Sequence, residues 1–232
     1  MNKHLVVGLG EIGNPIYQIL KEGHGDGVYG YDPKIASANV LPTSPIYSLH
    51  ICIPWGNNFI GVVQTYQTQY KPIVTVIHST VPVGTSHKLG AVHSPVLGKH
   101  PNLYEDIKKF TKWFGGTGAT VAASLFEKCG LATRVVIEAD LTEFLKLACL
   151  AKYGLAITFA DYLNRVCLAN GFDYTSVTHW DMDYNAGVAQ HLHRPLIVPP
   201  EKNIGGHCVI PGTNLLNQQF PNELLEQILK LQ

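Results

Sequence analysis

Three glycines near the amino terminus have the spacing that phosphate chemistry needs. Gly8-Leu-Gly10-Glu-Ile-Gly13 fits G-x-G-x-x-G, follows an apolar run at 4–7 and opens a helical stretch at 12–20. In that context the first glycine permits a tight turn, the second lets backbone approach a pyrophosphate, and the third lets helix and strand pack closely. The helix start then offers unpaired N–H groups and a positive dipole end to the phosphates. Gly8, Leu9, Gly10, Glu11, Ile12 and Gly13 are therefore the candidate cradle of a dinucleotide. An acidic residue about 20 positions on, at the end of the next strand, should accept ribose hydroxyls. Asp32 stands 19 positions after Gly13, at the end of an apolar run over 27–31. Its carboxylate would repel a 2′-phosphate, so the cofactor reads as NAD and not NADP.

These residues need an α/β frame, and residues 1–135 supply its pattern. Strands are expected at 4–8, 27–31, 49–53 and 72–77, with helices between them. That order predicts a Rossmann-type, doubly wound parallel sheet with right-handed crossovers. The stretch between Asp32 and Leu49 is short and broken by Pro42 and Pro45, so the sheet is expected to be trimmed there. From Ala139 the pattern changes to one long helical stretch over 142–170, apolar around most of its circumference, as suits a helix between domains or subunits. A second helix is expected at 173–187, a loop at 195–213 and an amphipathic helix at 222–231. The chain thus reads as an NAD-binding Rossmann domain (1–138) followed by a mainly helical domain (139–232).

Composition narrows the partners. Charged residues make up 15%, below the usual value of about 25%. Part of the surface is therefore expected to be covered by a second copy, as a homodimer through the helix at 140–170, where Tyr153, Phe159 and Tyr162 would pack. Seventeen basic residues balance seventeen acidic ones without charge runs, which argues against nucleic acid or an anionic membrane as partner. The most apolar stretch, 141–160, carries Glu143, Lys146 and Lys152 and reads as a buried helix, not a membrane span. The amino-terminal apolar run is too short for a signal peptide. Five cysteines without a C-x-x-C pair make neither a disulfide framework nor a zinc site, so a reducing cytoplasm is expected. Cys52, Cys129, Cys149 and Cys167 lie on apolar elements and read as small buried hydrophobes. Eleven histidines form no metal-binding helical pair, and His191 and His193 merely alternate in a loop, so no metal is expected. Lys146 is costly to bury without a partner; it is functional or it snorkels.

Three downstream segments resemble the nucleotide-sugar 6-dehydrogenases, the family of UDP-glucose and GDP-mannose dehydrogenases. Ile77-His-Ser-Thr-Val-Pro-Val-Gly-Thr85 is similar to its (E)STVPxGT segment, and Leu141-Thr-Glu-Phe-Leu-Lys146-Leu-Ala to its A-E-x-x-K-L helix. Asn203-Ile-Gly-Gly-His-Cys208-Val-Ile-Pro resembles its G-x-G-G-x-C-x-P loop, with Asn203 for the first glycine and Pro211 one place late. The resemblance implies an NAD-dependent oxidoreductase that oxidises an alcohol of a small-molecule substrate by hydride transfer. It implies Pro54 and Thr80 beside the cofactor, Lys146 as oxyanion stabiliser, and Cys208 as the thiol that captures an aldehyde. Lys146, Gly205, Gly206 and His207 would line the substrate. It also implies a shortened form, lacking the family's C-terminal nucleotide-binding domain.

Three positions depart from the family. Leu150 stands where it has asparagine, Gly212 where it has aspartate, and Val96 where an S-P-E segment has glutamate. The thioester half of the four-electron reaction loses its partners. Two other readings stay open: a two-electron dehydrogenase of the β-hydroxyacid type, which uses a helix lysine and no thiol, and an NAD-binding sensor or assembly subunit without catalysis.

Overall fold

The computed structural model describes residues 2–35, 41–99, 101–188, 193–201, 204 and 208–230. Contacts divide the chain into two compact units, Met1–Lys146 and Leu147–Gln232, with the division falling inside the long helix.

The first unit is built on apolar four-residue strands. β1 (His4–Val7), β3 (Ser48–Ile51) and β4 (Val74–Ile77) are buried along their whole length, as strands covered on both faces must be. β2 (Val28–Tyr31), β5 (Val92–His93), β6 (Lys112–Gly115) and β7 (Thr133–Val136) complete a sheet of order β2-β1-β3-β4-β5-β6-β7. All pairs are parallel except β5 with β6. No strand lies beyond β2 among the described residues, which matches the trimming expected from the short, proline-broken stretch after Asp32.

The helices are α1 (Gly13–His24), α2 (Phe59–Tyr70), the short α3 (Thr85–Lys88), α4 (Leu103–Lys109) and α5 (Ala119–Glu127). α1 buries Ile16, Ile19 and Leu20, the three- and four-residue spacing of a single face, and runs past the expected stop to Gly25 at φ 60°. One core holds Val6, Ile16, Val76, Phe114 and Phe126; the other holds Leu5, Val7, Ile51, Phe59 and Ile77. Each such side chain contributes about 1.5–3 kcal/mol by burial.

α6 (Ala139–Asn170) is a single helix of 32 residues. α7 (Thr175–Gly187), α8 (Val209–Gln219) and α9 (Glu223–Leu229) follow it. The expected loop over 195–213 ends early, because α8 starts at Val209. Pro211 falls in its first turn, where a missing N–H costs no hydrogen bond. Asn222 accepts the Leu224 N–H at 2.9 Å and caps α9. Gly154 of α6 admits Ile228 and Val209; an added Cβ would lie 2.7 and 2.8 Å from their methyl groups. In the single chain α6 exposes Phe144, Tyr153, Leu155, Phe159 and Tyr162, three of which are the aromatic residues expected at an interface. Cys149, expected to be buried, is exposed, whereas Cys167 is buried. All five cysteines are free. No described helix is long and apolar enough to cross a membrane.

Candidate dinucleotide site

β1 runs straight into the glycine loop, next to the point where the sheet order turns from β2 to β3. The carboxyl ends of strands at such a point are where α/β sheets bind ligands. Gly8 has φ 87°, and its N–H donates to Tyr31 O at 2.8 Å, so the loop is tied to the end of β2. A Cβ on Gly8 would lie 2.9 Å from Cys52 O. On Gly13 it would lie 1.6 Å from Gly8 O, a position no side chain can take. Gly10 has nothing within 4 Å of an added Cβ. The two outer glycines are therefore required by packing, while the middle one keeps open space over the loop. Asn14 N–H donates back to Gly10 O at 3.0 Å, and the first turn of α1 holds no acidic residue. The positive end of that helix is thus left for an anion. Leu9 and Ile12 are half-buried and Glu11 is exposed.

Asp32 closes the cradle. Its Oδ2 accepts the Leu9 N–H at 2.8 Å and its Oδ1 accepts the Lys34 N–H at 2.9 Å. The carboxylate is locked against the loop, and each oxygen keeps a second lone pair for a hydroxyl.

Pro54 is exposed after β3, and Thr80 is half-buried after β4. Ser79 Oγ donates to Ile53 O at 2.6 Å and joins these two loops. Lys146 is half-buried, and its Nζ donates to Val96 O at 2.8 Å. The lysine therefore rests on the backbone of the residue that stands where the family has glutamate.

Sequence reasoning missed the residues that bind these loops to α6. Glu143 is buried, and its two oxygens accept the N–H groups of Gly84 and Ser86, each at 2.7 Å. Burial raises its pKa against those hydrogen bonds, and Asp140 adds to the rise. His93 donates from Nε2 to Ser79 O at 3.3 Å, while its Nδ1 lies 2.9 Å from the Thr142 hydroxyl. Desolvation brings His93 down to about 3. The available signal was an acid and a hydroxyl beside each other in an apolar helix segment.

A second missed group lies across one face of the sheet. His4 Nδ1 is 2.7 Å from Ser48 Oγ, which is 2.8 Å from His50 Nε2. His50 Nδ1 is 3.1 Å from His78 Nε2, and His78 Nδ1 is 2.9 Å from Ser94 O. Lys112, 4% exposed, donates from Nζ to Ser94 O and Pro95 O at 3.3 and 3.4 Å. Burial brings its pKa down to about 7, opposed by Cys52 and aided by Lys146. The Cys52 thiol is itself pushed up to about 12 by burial, an inert state.

In the second unit, Cys208 is exposed at the start of α8. Gly205, Gly206 and His207 lie outside the described residues, as does His191. Four positions on from Cys208, Gly212 is buried against Leu150: an added Cβ would lie 2.5 Å from Leu150 Cδ1. The two places where the family has a polar pair thus form one apolar contact. No group of three metal-ligating side chains occurs among the described residues.

No family model and no curated protein matches the chain. Solved structures do. UDP-D-ManNAc dehydrogenase from Pyrococcus horikoshii aligns at TM-score 0.83 and 16% identity, over 99% of this chain and 68% of that one. A UDP-glucose dehydrogenase from Pyrobaculum islandicum aligns at 0.73 and 16%, over 100% and 68%. 3-Hydroxyisobutyrate dehydrogenase from Mycobacterium tuberculosis aligns at 0.72 and 16%, over 99% and 92%. The chain thus spans about two thirds of the first two and nearly all of the third. At these identities the likeness establishes the fold: a Rossmann-type sheet followed by a long helix, the architecture shared by these dehydrogenases.

Proposed function

We propose that the chain binds NAD and oxidises an alcohol by hydride transfer, as a two-electron dehydrogenase. The observation that carries the cofactor is the glycine loop: Gly13 admits no side chain, Gly10 leaves open space, and Asp32 is tied to Leu9. The backbone of Gly8 to Gly13 would hold the phosphates and Asp32 the adenosine ribose, whose 2′-phosphorylated form its charge disfavours. When bound, the nicotinamide supplies the hydride acceptor. Thr80 and Pro54 would flank it. Lys146 would turn an N–H from its present arrangement toward the substrate oxygen and stabilise the charge that develops there. The solved dehydrogenases of the same fold support this class of reaction.

The two-electron form is favoured by the contact of Leu150 with Gly212. Oxidation of an alcohol to a carbonyl compound would need only the bound hydride acceptor and an outlet to solvent for the hydroxyl proton; no thiol would take part. Val96 removes the third polar partner of thioester chemistry. The exposed apolar row of α6 fits the homodimer expected from the low charge content.

Titration with NADH, followed by fluorescence, tests the cofactor. Asp32→Asn should weaken binding roughly tenfold and reduce the preference over NADPH. Failure of the wild type to bind either dinucleotide would overturn the proposal. A panel of hydroxyacids and nucleotide sugars, read by NADH absorbance, then tests catalysis; tight binding without turnover across it would leave the sensor reading.

A further inference from the structure

We propose that Glu143 is a positioning residue: its carboxylate fixes the loop after β4 on α6 and so sets where Thr80 stands relative to Lys146. The clamp stands on geometry alone; its purpose rests on the dinucleotide reading above.

Glu143 is 0% exposed, and each of its oxygens takes one backbone N–H at 2.7 Å, from Gly84 and from Ser86. A buried carboxylate is costly unless it is hydrogen-bonded, and here the bonds come from a loop distant in sequence. Gly84 sits at φ 90°, so its N–H direction is set by a turn that favours glycine. The fork is specific to a carboxylate. Glutamine has the same size but only one acceptor oxygen, and its NH₂ would face an N–H.

The neighbours of Glu143 on α6 make the same kind of contact. Thr142 reaches Ser79 O through the His93 ring, and Lys146 reaches Val96 O. Glu143 and Lys146 are three residues apart and share a helix face. One helix face thus holds the loop after β4 and the segment after β5 in a fixed relation. Thr80 lies between the two points where its loop is held, Ser79 and Gly84. A loop released at Gly84 and Ser86 would let Thr80 shift while the glycine loop, tied to β2 and Asp32, stays in place.

The experiment compares the wild type, Glu143→Gln and Glu143→Asp. Hydrogen exchange of the apoprotein should rise about tenfold in peptides covering 79–88 of Glu143→Gln, while β1 and β3 keep their protection. NADH should still bind within about threefold of the wild-type affinity, because the adenine half is held elsewhere. Its nicotinamide emission should fall toward that of free NADH. Glu143→Asp keeps both acceptors on a shorter arm and should recover part of the protection and emission. It also decides the matter by itself if Glu143→Gln does not fold. Unchanged exchange at 79–88 overturns the proposal. So does raised exchange with unaltered emission, which would make Glu143 only a cap of α3. If the wild type binds no NADH, the dinucleotide reading falls, and the apoprotein exchange alone decides for or against the clamp.

Discussion

The glycine loop and the cysteine segment are the two regions that pointed to chemistry, and the structure treats them in opposite ways. In the first, the positions that must lack a side chain lack one, and the acid that must reach the loop is bonded to it. In the second, Gly212 and Leu150 fill each other's space where the resemblance called for aspartate and asparagine. A small residue opposite a large one conserves volume, and a core tolerates such swaps better than a lone change. The glycine loop keeps open space beside a fixed carboxylate, whereas Leu150 and Gly212 are packed against each other with no room for a polar pair.

The comparison can be broken most directly at Gly13. Gly13→Ala should abolish NADH binding, with Kd rising more than about a hundredfold, and should cost roughly 3 kcal/mol or more of stability in urea unfolding. A variant that still bound NADH would remove the cradle.

A buried cation offers the next largest effect. Lys112 holds a proton below about 7 in the folded state against 10.5 otherwise. Between those values the unfolded chain binds more protons, so stability falls as pH drops through that window, by about 1.4 kcal/mol per pH unit at most. Cys52 acts oppositely above its ordinary 9, because its folded thiol ionises only near 12. Below 6.5 the buried His93, brought down to about 3, adds a further loss on acidification. Urea unfolding from pH 7 to 9 should therefore show stability rising with pH in the wild type, and a flat response in Lys112→Met.

The apolar pair can be sharpened with a double-mutant cycle. Gly212→Ala forces its methyl onto Leu150 but gains helix propensity, so the two effects nearly offset in the wild type. In a Leu150→Ala background the 2.5 Å clash with Cδ1 is gone and only the 3.3 Å approach to Cβ remains, so the same change should stabilise by up to about 1 kcal/mol. Additive values would show that the two residues do not share space. The smallest effect is expected at Cys208: its change to serine should leave turnover of any accepted alcohol unchanged. A loss of more than about tenfold would restore the covalent reading.

The sheet was legible in the sequence because three apolar runs ended in glycine, proline or aspartate and a fourth began at Pro72, and the trimmed edge because two prolines broke a short stretch. The glycine loop and Asp32 were legible because backbone approach and ribose binding demand fixed residue types at fixed spacing. β5, only two residues long, and the antiparallel β6 have no such pattern. α8 was hidden by Pro211, which the first turn of a helix accepts. Glu143 reads from the sequence as a charge on an apolar helix, but its partners, like that of Thr142, lie 49 to 59 positions away in the chain. The histidines show no metal-binding helical spacing, whereas three of them meet through neighbouring strands.

One carbonyl decides the proton order of the histidine chain. Ser94 O can only accept, so His78 carries its proton on Nδ1 and offers Nε2 as acceptor. His50 must then donate from Nδ1 and accept on Nε2 from the Ser48 hydroxyl, which in turn accepts from His4 Nδ1. Each neutral ring has one donor and one acceptor, and the burial that depresses all three pKa values keeps them neutral. The order ends at His4 Nε2, which has no partner. Three tautomers are thus written by the backbone of β5's end, and no side chain placed at position 94 could reverse them.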